Sequence, residues 1–141
     1  MDSQLFNLFQ RTFKKIDGLY HAQDMLDLIV EEEGIFDYSY RSTLFSSKFR
    51  NEDTDDNCTR IIFFEDPKTF WIGFIAVHPE VRGRGYGRKM VEAVEEIAKE
   101  RGRSEILVEE VYNPSFWGKM RYSPLIRRED NHEDKWYKKA I

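Results

Sequence analysis

Apolar and polar positions recur along this chain with two different periods, and the switches between them mark out its elements. Residues 3 to 16 place Leu5, Phe6, Phe9, Phe13 and Ile16 on one helical stripe, with Asp2 or Ser3 available to cap its start. "AQDMLDLIVEEEG" at 22–34 continues that spacing through Met25, Leu26, Leu28 and Ile29, which predicts a second helix stopping at Gly34. Phe36, Tyr38 and Tyr40 then alternate with Asp37 and Ser39, as in a half-exposed strand. "TRIIFFED" (59–66) and "TFWIGFIAVHP" (69–79) read as two strands joined at Pro67 and Lys68 in a hairpin. The second has little polar interruption from Phe70 to Val77, so it is expected to be central and covered on both faces.

A further helix is predicted from about Tyr86 to Arg101, with Met90, Val91, Val94, Ile97 and Ala98 on one face and Gly102 as its stop. Glu95 and Lys99 add an i,i+4 pair. "SEILVEEVY" (104–112) is the next strand, and strand, helix, strand implies a right-handed parallel crossover. Asn113 and Pro114 open a short helical piece, "NPSFWGKM", and two weaker strands near 122–128 and 135–140 finish the chain. The fold class is therefore α/β or α+β, with a mixed sheet and helices on its faces. With no repeat, low-complexity tract or linker, residues 1–141 read as one domain.

Composition narrows the classes. Apolar residues at 40% and aromatics at 15% describe a packed globule. No apolar run approaches the roughly 20 residues that span a bilayer, and "MDSQLFNLFQ" lacks the layout of a signal peptide, so no membrane partner is expected. The single cysteine, Cys58, excludes an internal disulfide and suits a reducing cytoplasm; the "NCT" sequon at 57–59 means little without a secretory signal. Three histidines and one cysteine at unrelated spacings give no metal site. The formal charge of −4 argues against nucleic acid as a partner. "EEE" at 31–33 and "NEDTDD" at 51–56 read as solvated surface, with attraction of a cationic acceptor as the sharper alternative.

Positive charge is concentrated in one place. "VHPEVRGRGYGRKM" (77–90) sets Gly83, Gly85 and Gly87 among Arg82, Arg84, Arg88 and Lys89, between a buried strand and a helix. Glycines let backbone approach a ligand closely, and the first amides of a helix lack intrahelical partners where the macrodipole is positive. Such a turn is suited to phosphate or diphosphate. The dinucleotide fingerprint fails because Arg88 stands at its sixth place, and the P-loop fails because Met90 follows "GRK".

The sequence here resembles the GNAT superfamily of N-acetyltransferases. Val77-His78-Pro79 followed by Arg82-Gly83-Arg84-Gly85-Tyr86-Gly87 is similar to its strand end and Arg/Gln-x-x-Gly-x-Gly/Ala turn. Asn113, Phe116-Trp117, Lys119 and Arg121-Tyr122 are similar to its second block of Asn, aromatic pair, Lys and terminal Gly-aromatic. The resemblance covers roughly residues 59–125. It implies a mixed, mostly antiparallel GNAT-like sheet with one parallel crossover and helices on both faces. It implies an acetyl-CoA-binding core at 58–125, with N-terminal helices and an acceptor-side region at 1–57. It also implies acetyl-CoA as acyl donor and direct attack by a primary amine, with the enzyme or a non-catalytic acyl-CoA-binding module as the two readings.

Residue by residue, the resemblance assigns the diphosphate to Arg82 through Arg88, the pantetheine to Ile75, Ala76 and Val77, and its far side to Asn113, Phe116 and Trp117. Trp117 stands where the family commonly has an acidic tyrosine. An indole donates a hydrogen bond but supplies no proton, which leaves Tyr112, Tyr122 or water to protonate the thiolate. The attacking amine needs a base, and the central strand carries no carboxylate. Glu110, on the face of Ile106, Val108 and Tyr112, is the chosen candidate over Glu65, Asp66 and Glu109. His78 is expected to be structural. The loop between the first two helices, "DGLYH" (17–21), is expected to line the acceptor site, and the expected family strand at the start is replaced by the helix at 3–16. Phe6, Phe9 and Phe13 would suit a homodimer contact if exposed.

Overall fold

The computed structural model describes residues 3–21, 24–30, 34–43, 58–109, 111, 113–125 and 136–141. Its elements run α1 (Ser3–Phe13), β1 (Met25–Val30), β2 (Phe36–Arg41), β3 (Arg60–Glu65), β4 (Phe70–Ala76), α2 (Tyr86–Glu100), β5 (Glu105–Val108), α3 (Pro114–Lys119), β6 (Ser123–Pro124) and β7 (Tyr137–Ala140). All seven strands join one sheet in the order β1-β2-β3-β4-β5-β7-β6. Every pairing is antiparallel except β4 with β5, where α2 makes the crossover. The α/β class, the mixed sheet and the parallel joint expected from the sequence are all present. No helix of the described residues is long and apolar enough to cross a membrane.

The alternation read from the strands decides which face is buried. Tyr38 and Tyr40 of β2, Ile61 and Phe63 of β3, Phe70 and Ile72 of β4, and Ile106 and Val108 of β5 form one buried surface. The helical stripe of α1 lies on it: Phe9 meets Tyr38 edge-on at 4.8 Å, and Phe13 stacks on Tyr40 at 4.2 Å. Met90, Val94 and Ile97 of α2 complete the same core, and the two helices touch. Phe9 and Phe13 are 1% and 0% exposed, which leaves only Phe6, at 38%, of the three rings once considered for a dimer contact.

One element differs in kind from its expectation. Residues 25–30 are a strand, not part of a helix over 22–34, and all six pair with β2 from Met25↔Arg41 to Val30↔Phe36. A short apolar run fits either period, and the six-residue partner decides for the sheet. The described residues of 1–57 therefore hold one helix and two strands, and "DGLYH" connects α1 to β1 rather than two helices. The chain does open with a helix, as its spacing requires, and the first strand follows it.

At the far end of α2 a carboxylate joins three elements. Arg101 is the helix C-cap, Gly102 takes φ 77°, and the N–H groups of Gly102 and Arg103 donate to the Lys99 and Ala98 carbonyls at 2.9 Å. This reversal points Arg101 and Arg103 at buried Glu65 on β3, which also accepts the Tyr38 hydroxyl at 2.8 Å. Burial alone would raise the Glu65 carboxyl. Hydrogen bonds from Arg101 and Tyr38, with both guanidinium charges, outweigh it and hold the pKa below the ordinary 4.5. A lowered folded pKa means the stabilisation is complete above the unfolded value and fades as pH drops through the folded one. Glu65→Gln is expected to cost about 2–3 kcal/mol at neutral pH, because charge-assisted bonds are lost and Arg103 is left half-buried. In urea titrations the gap between variant and wild type should narrow below pH 4.5.

Candidate active site

The sheet opens where β4 changes register. From Glu65↔Phe70 to Phe63↔Ile72 the β3–β4 ladder is regular; Ile62 then meets Phe74, so Gly73 is an extra residue in a β-bulge. On its other side β4 pairs with β5 only at Trp71↔Leu107 and Ile72↔Val108, followed by the Glu109 N–H donating to the Ile72 carbonyl at 3.0 Å. No described pair joins the strands beyond this point, although β4 runs on to Ala76. Among the described residues this leaves a gap in the pairing beside β4 from Gly73 onward.

The glycine turn stands at the top of that edge. A 3-10 turn, Pro79–Val81, leads out of β4, anchored by fully buried Val81. His78 Nδ1 accepts the Glu80 N–H at 3.0 Å, so this nitrogen caps the turn and is not free to act as a base. Arg82 Nε donates to the Val77 carbonyl at 2.9 Å and clasps the turn shut. Gly83 and Gly85 take φ 83° and 79°, conformations that a side chain disfavours. Gly85 is the N-cap of α2, with no side-chain capping bond and no acid in the first turn. The first amides of α2 thus meet solvent with the helix dipole behind them, among exposed Arg82, Arg84 and Arg88, the last paired with Glu92 at 2.9 Å. At Gly87 a Cβ would touch Val77 Cγ2 at 3.4 Å and Phe116 Cε2 at 3.6 Å, so β4, α2 and α3 converge there.

Several sequence-predicted residues come near one another. Ile75 and Ala76 end β4 with Val77 after them, Arg82 to Arg88 form the turn that follows, and half-buried Phe116 and Val77 both approach Gly87. Asn113 Oδ1 accepts the Phe116 N–H at 3.3 Å as the cap of α3, which fixes Phe116 in place. Tyr86 contributes backbone only: its ring is buried, and a Cβ on Gly18 of the α1–β1 connection would lie 2.9 Å from its hydroxyl. The "DGLYH" loop is thereby packed against the start of α2, with Leu19 buried and its carbonyl accepting from Ser42 Oγ at 3.1 Å.

Two expectations are corrected. Trp117 is 4% exposed and lies edge-on to Phe116 at 5.0 Å and to Tyr122 at 5.1 Å, so its ring packs beneath α3 rather than lining the gap. Tyr122 is 3% exposed, and its hydroxyl donates to Glu95 Oε2 at 2.9 Å. Burial first, and the Glu95 charge with its hydrogen bond second, push that phenol far above its ordinary range, so it is not poised to protonate a thiolate. Glu95 turns inward to Tyr122 and to Lys139 at 2.8 Å instead of pairing with Lys99. Glu65 and Asp66 are also occupied, Asp66 by the Lys68 and Thr69 amides of the hairpin. Glu110 and Tyr112 lie outside the described residues. The Glu95–Tyr122–Lys139 cluster and the bulge went unread in the sequence; Gly73 inside an apolar strand was the available signal for the bulge.

Arg121 occupies the place of the second block's glycine and takes φ 69°. Arg121→Gly is expected to stabilise by up to about 1 kcal/mol, the left-handed strain relieved less the entropy a glycine adds to the unfolded chain. Tyr122→Phe should cost about 1–2 kcal/mol, the worth of a bond to a buried charged acceptor. Thermal or urea unfolding reads both.

A family description, the acetyltransferase (GNAT) family, matches residues 50–117. In fold the chain is similar to an acetyltransferase from Bacillus cereus, with TM-score 0.51, 21% identity, and coverage of 96% of this chain and 87% of that one. It is also similar to the GCN5-related N-acetyltransferase from Rhodopseudomonas palustris whose name includes "Aminotransferase, Class-II", with TM-score 0.50, 18% identity, and coverage of 74% of this chain and 62% of that one. This chain thus spans less than two thirds of the Rhodopseudomonas protein. No curated protein matches it in sequence. With the family match over the crossover and the sheet order and glycine turn built as above, residues 50–117 are similar to the acetyltransferase (GNAT) family and the chain has a GNAT-like fold.

Proposed function

We propose that this chain is an acetyl-CoA-dependent N-acetyltransferase that passes the acetyl group to a primary amine by direct attack within a ternary complex. The observation that carries the reading is the convergence of the β4 edge, which parts from β5 after Ile72, with the uncapped, glycine-led start of α2. The diphosphate of acetyl-CoA would rest on the amides of residues 82–88, where each charge-assisted bond contributes about 1.5–3 kcal/mol. The pantetheine would run along Ile75, Ala76 and Val77, with Asn113 and Phe116 across the gap. A β4 N–H beside the bulge would polarise the thioester carbonyl, and so stabilise the charge that develops on it as the amine attacks.

The proton transfers are assigned with the same economy. An alkylamine with pKa near 10.4 must lose a proton before attack, and Glu110 is the proposed base. With Tyr122 held by Glu95, Tyr112 or water is left to protonate a thiolate whose thiol pKa is near 8.5. Buried Cys58 suits a reducing compartment, and the reaction is placed in the cytoplasm. The committed hydroxyl of Tyr122 and the packed indole of Trp117 favour one second reading, a module that binds acyl-CoA without turning it over.

Acetyl-CoA at 100 times its dissociation constant should raise the thermal midpoint by several degrees, from about 2.7 kcal/mol of binding linkage, while ATP and NAD do not. Gly85→Ala, strained at φ 79°, should shrink that shift. No shift at millimolar acetyl-CoA would end both readings. A shift without CoA release across a panel of primary amines would select the binding module.

A further inference from the structure

The end of the sheet opposite the glycine turn holds a cleft of about 380 Å³, between the start of β4 and the start of β5. Two braced loops form its walls. On one side is the β3–β4 hairpin, where Asp66 Oδ1 accepts the Lys68 and Thr69 amides at 2.7 and 2.6 Å. On the other is the reversal after α2, closed by the Arg103 N–H on the Ala98 carbonyl at 2.9 Å. Arg103 also ties the two loops together, because its Nη2 donates to the Asp66 carbonyl at 2.6 Å. The Ile141 N–H, donating to the Ser104 carbonyl at 2.9 Å, holds a third side. The cleft is thus built before any ligand arrives, and its volume falls among those of small-molecule sites.

Its lining is rich in donors. The Lys68 ammonium and the hydroxyls of Thr69 and Ser104 line it, and these side-chain groups have no partner among the described residues. With them stands the Arg103 side chain, only 19% exposed. Arg101 and Arg103 share the single Glu65 carboxylate, so two positive charges meet one negative charge there and one positive charge is in excess. Ammonium and guanidinium groups donate hydrogen bonds and accept none, which selects a ligand made of acceptors. Phe70 and Leu107 close the cleft from β4 and β5, and exposed Glu105 is the acid among its described lining residues. We infer that this cleft binds a small organic oxyanion, a phosphate monoester or a carboxylate. Lys68 and Arg103 make the charged contacts, and the Thr69 and Ser104 hydroxyls make the neutral ones. A ligand held there touches both strands of the parallel joint. It shares no residue with those assigned to acetyl-CoA, so either assignment can fail without the other.

The test is an amide NMR titration of the full chain with glycerol phosphate and, separately, with acetate, at constant ionic strength. Saturating shifts are expected at Lys68, Thr69 and residues 102–105, and the tighter of the two probes names the ligand class. No saturation at tens of millimolar of either probe, or shifts confined to residues 82–88, overturns the inference. Lys68→Met replaces an exposed side chain and should fold normally. It should weaken binding at the cleft about tenfold, the loss of one charge-assisted bond, and leave any response of residues 82–88 as in wild type. Glu105→Gln removes a like charge and should bind at least as tightly as wild type. Unchanged affinity in Lys68→Met, or a loss of affinity in Glu105→Gln, overturns the inference as well.

Discussion

Phe9 and Phe13 of one helix meet Tyr38, Tyr40, Phe63 and Phe70 of three strands in a single buried layer on which α1 and the central strands depend. Aromatic rings bury much apolar area with few rotatable bonds, so such a layer is stiff. It contains two hydroxyls that cannot be left unsatisfied, and their partners extend the layer outward. Tyr38 reaches Glu65, which ties β3 to the end of α2; Tyr40 reaches Asp24 at 2.6 Å, which also accepts the Thr43 amide and closes the α1–β1 connection against β2. The helix that presents the glycine turn is thus fixed at its far end by ions and along its length by the core. Its N-terminus is the part left open to a ligand.

The chemistry is held in backbone more than in side chains. The glycine turn presents amides, the bulge is a register shift, and the cap of α3 is one carboxamide oxygen. The side chains that seemed most reactive are occupied elsewhere: His78 caps a turn, Glu65 neutralises two arginines, and the Tyr122 hydroxyl donates a hydrogen bond to Glu95. This division explains why polar residues near the gap are so often structural. A cleft between parting strands needs rigid walls, and buried polar groups that are fully paired supply rigidity.

Much of this was legible in the sequence because local rules and tertiary demands agreed. Gly83 and Gly85 had to be a turn before a helix, Pro114 after Asn113 had to open another, and Gly102 had to end α2; each is where the spacing put it. Residues 25–30 misled because Leu26, Leu28 and Ile29 fit both periods, and only the long-range partner β2 distinguishes them. The inward turn of Glu95 was illegible for a related reason. Lys99 is its neighbour in sequence, whereas Tyr122 and Lys139 reach it only after β7 has joined β5. Tyr122 was illegible for the same reason, since a side chain's role depends on which face it occupies and who is already bound to it.

The sheet's only parallel joint spans two residue pairs, and it is the sole ladder between the β1–β4 half and the β5–β7–β6 half among the described strands. Mechanically the sheet is two plates riveted at one end, with α2 as the shared backing, since that helix contacts β3, β4 and β5. The spacing of the plates at the open end is set by how α2 seats its side chains, not by backbone hydrogen bonds. Substitutions buried on the inner face of α2, far from any ligand, would therefore adjust the aperture. The separation of the two plates beyond the joint becomes a property of the core.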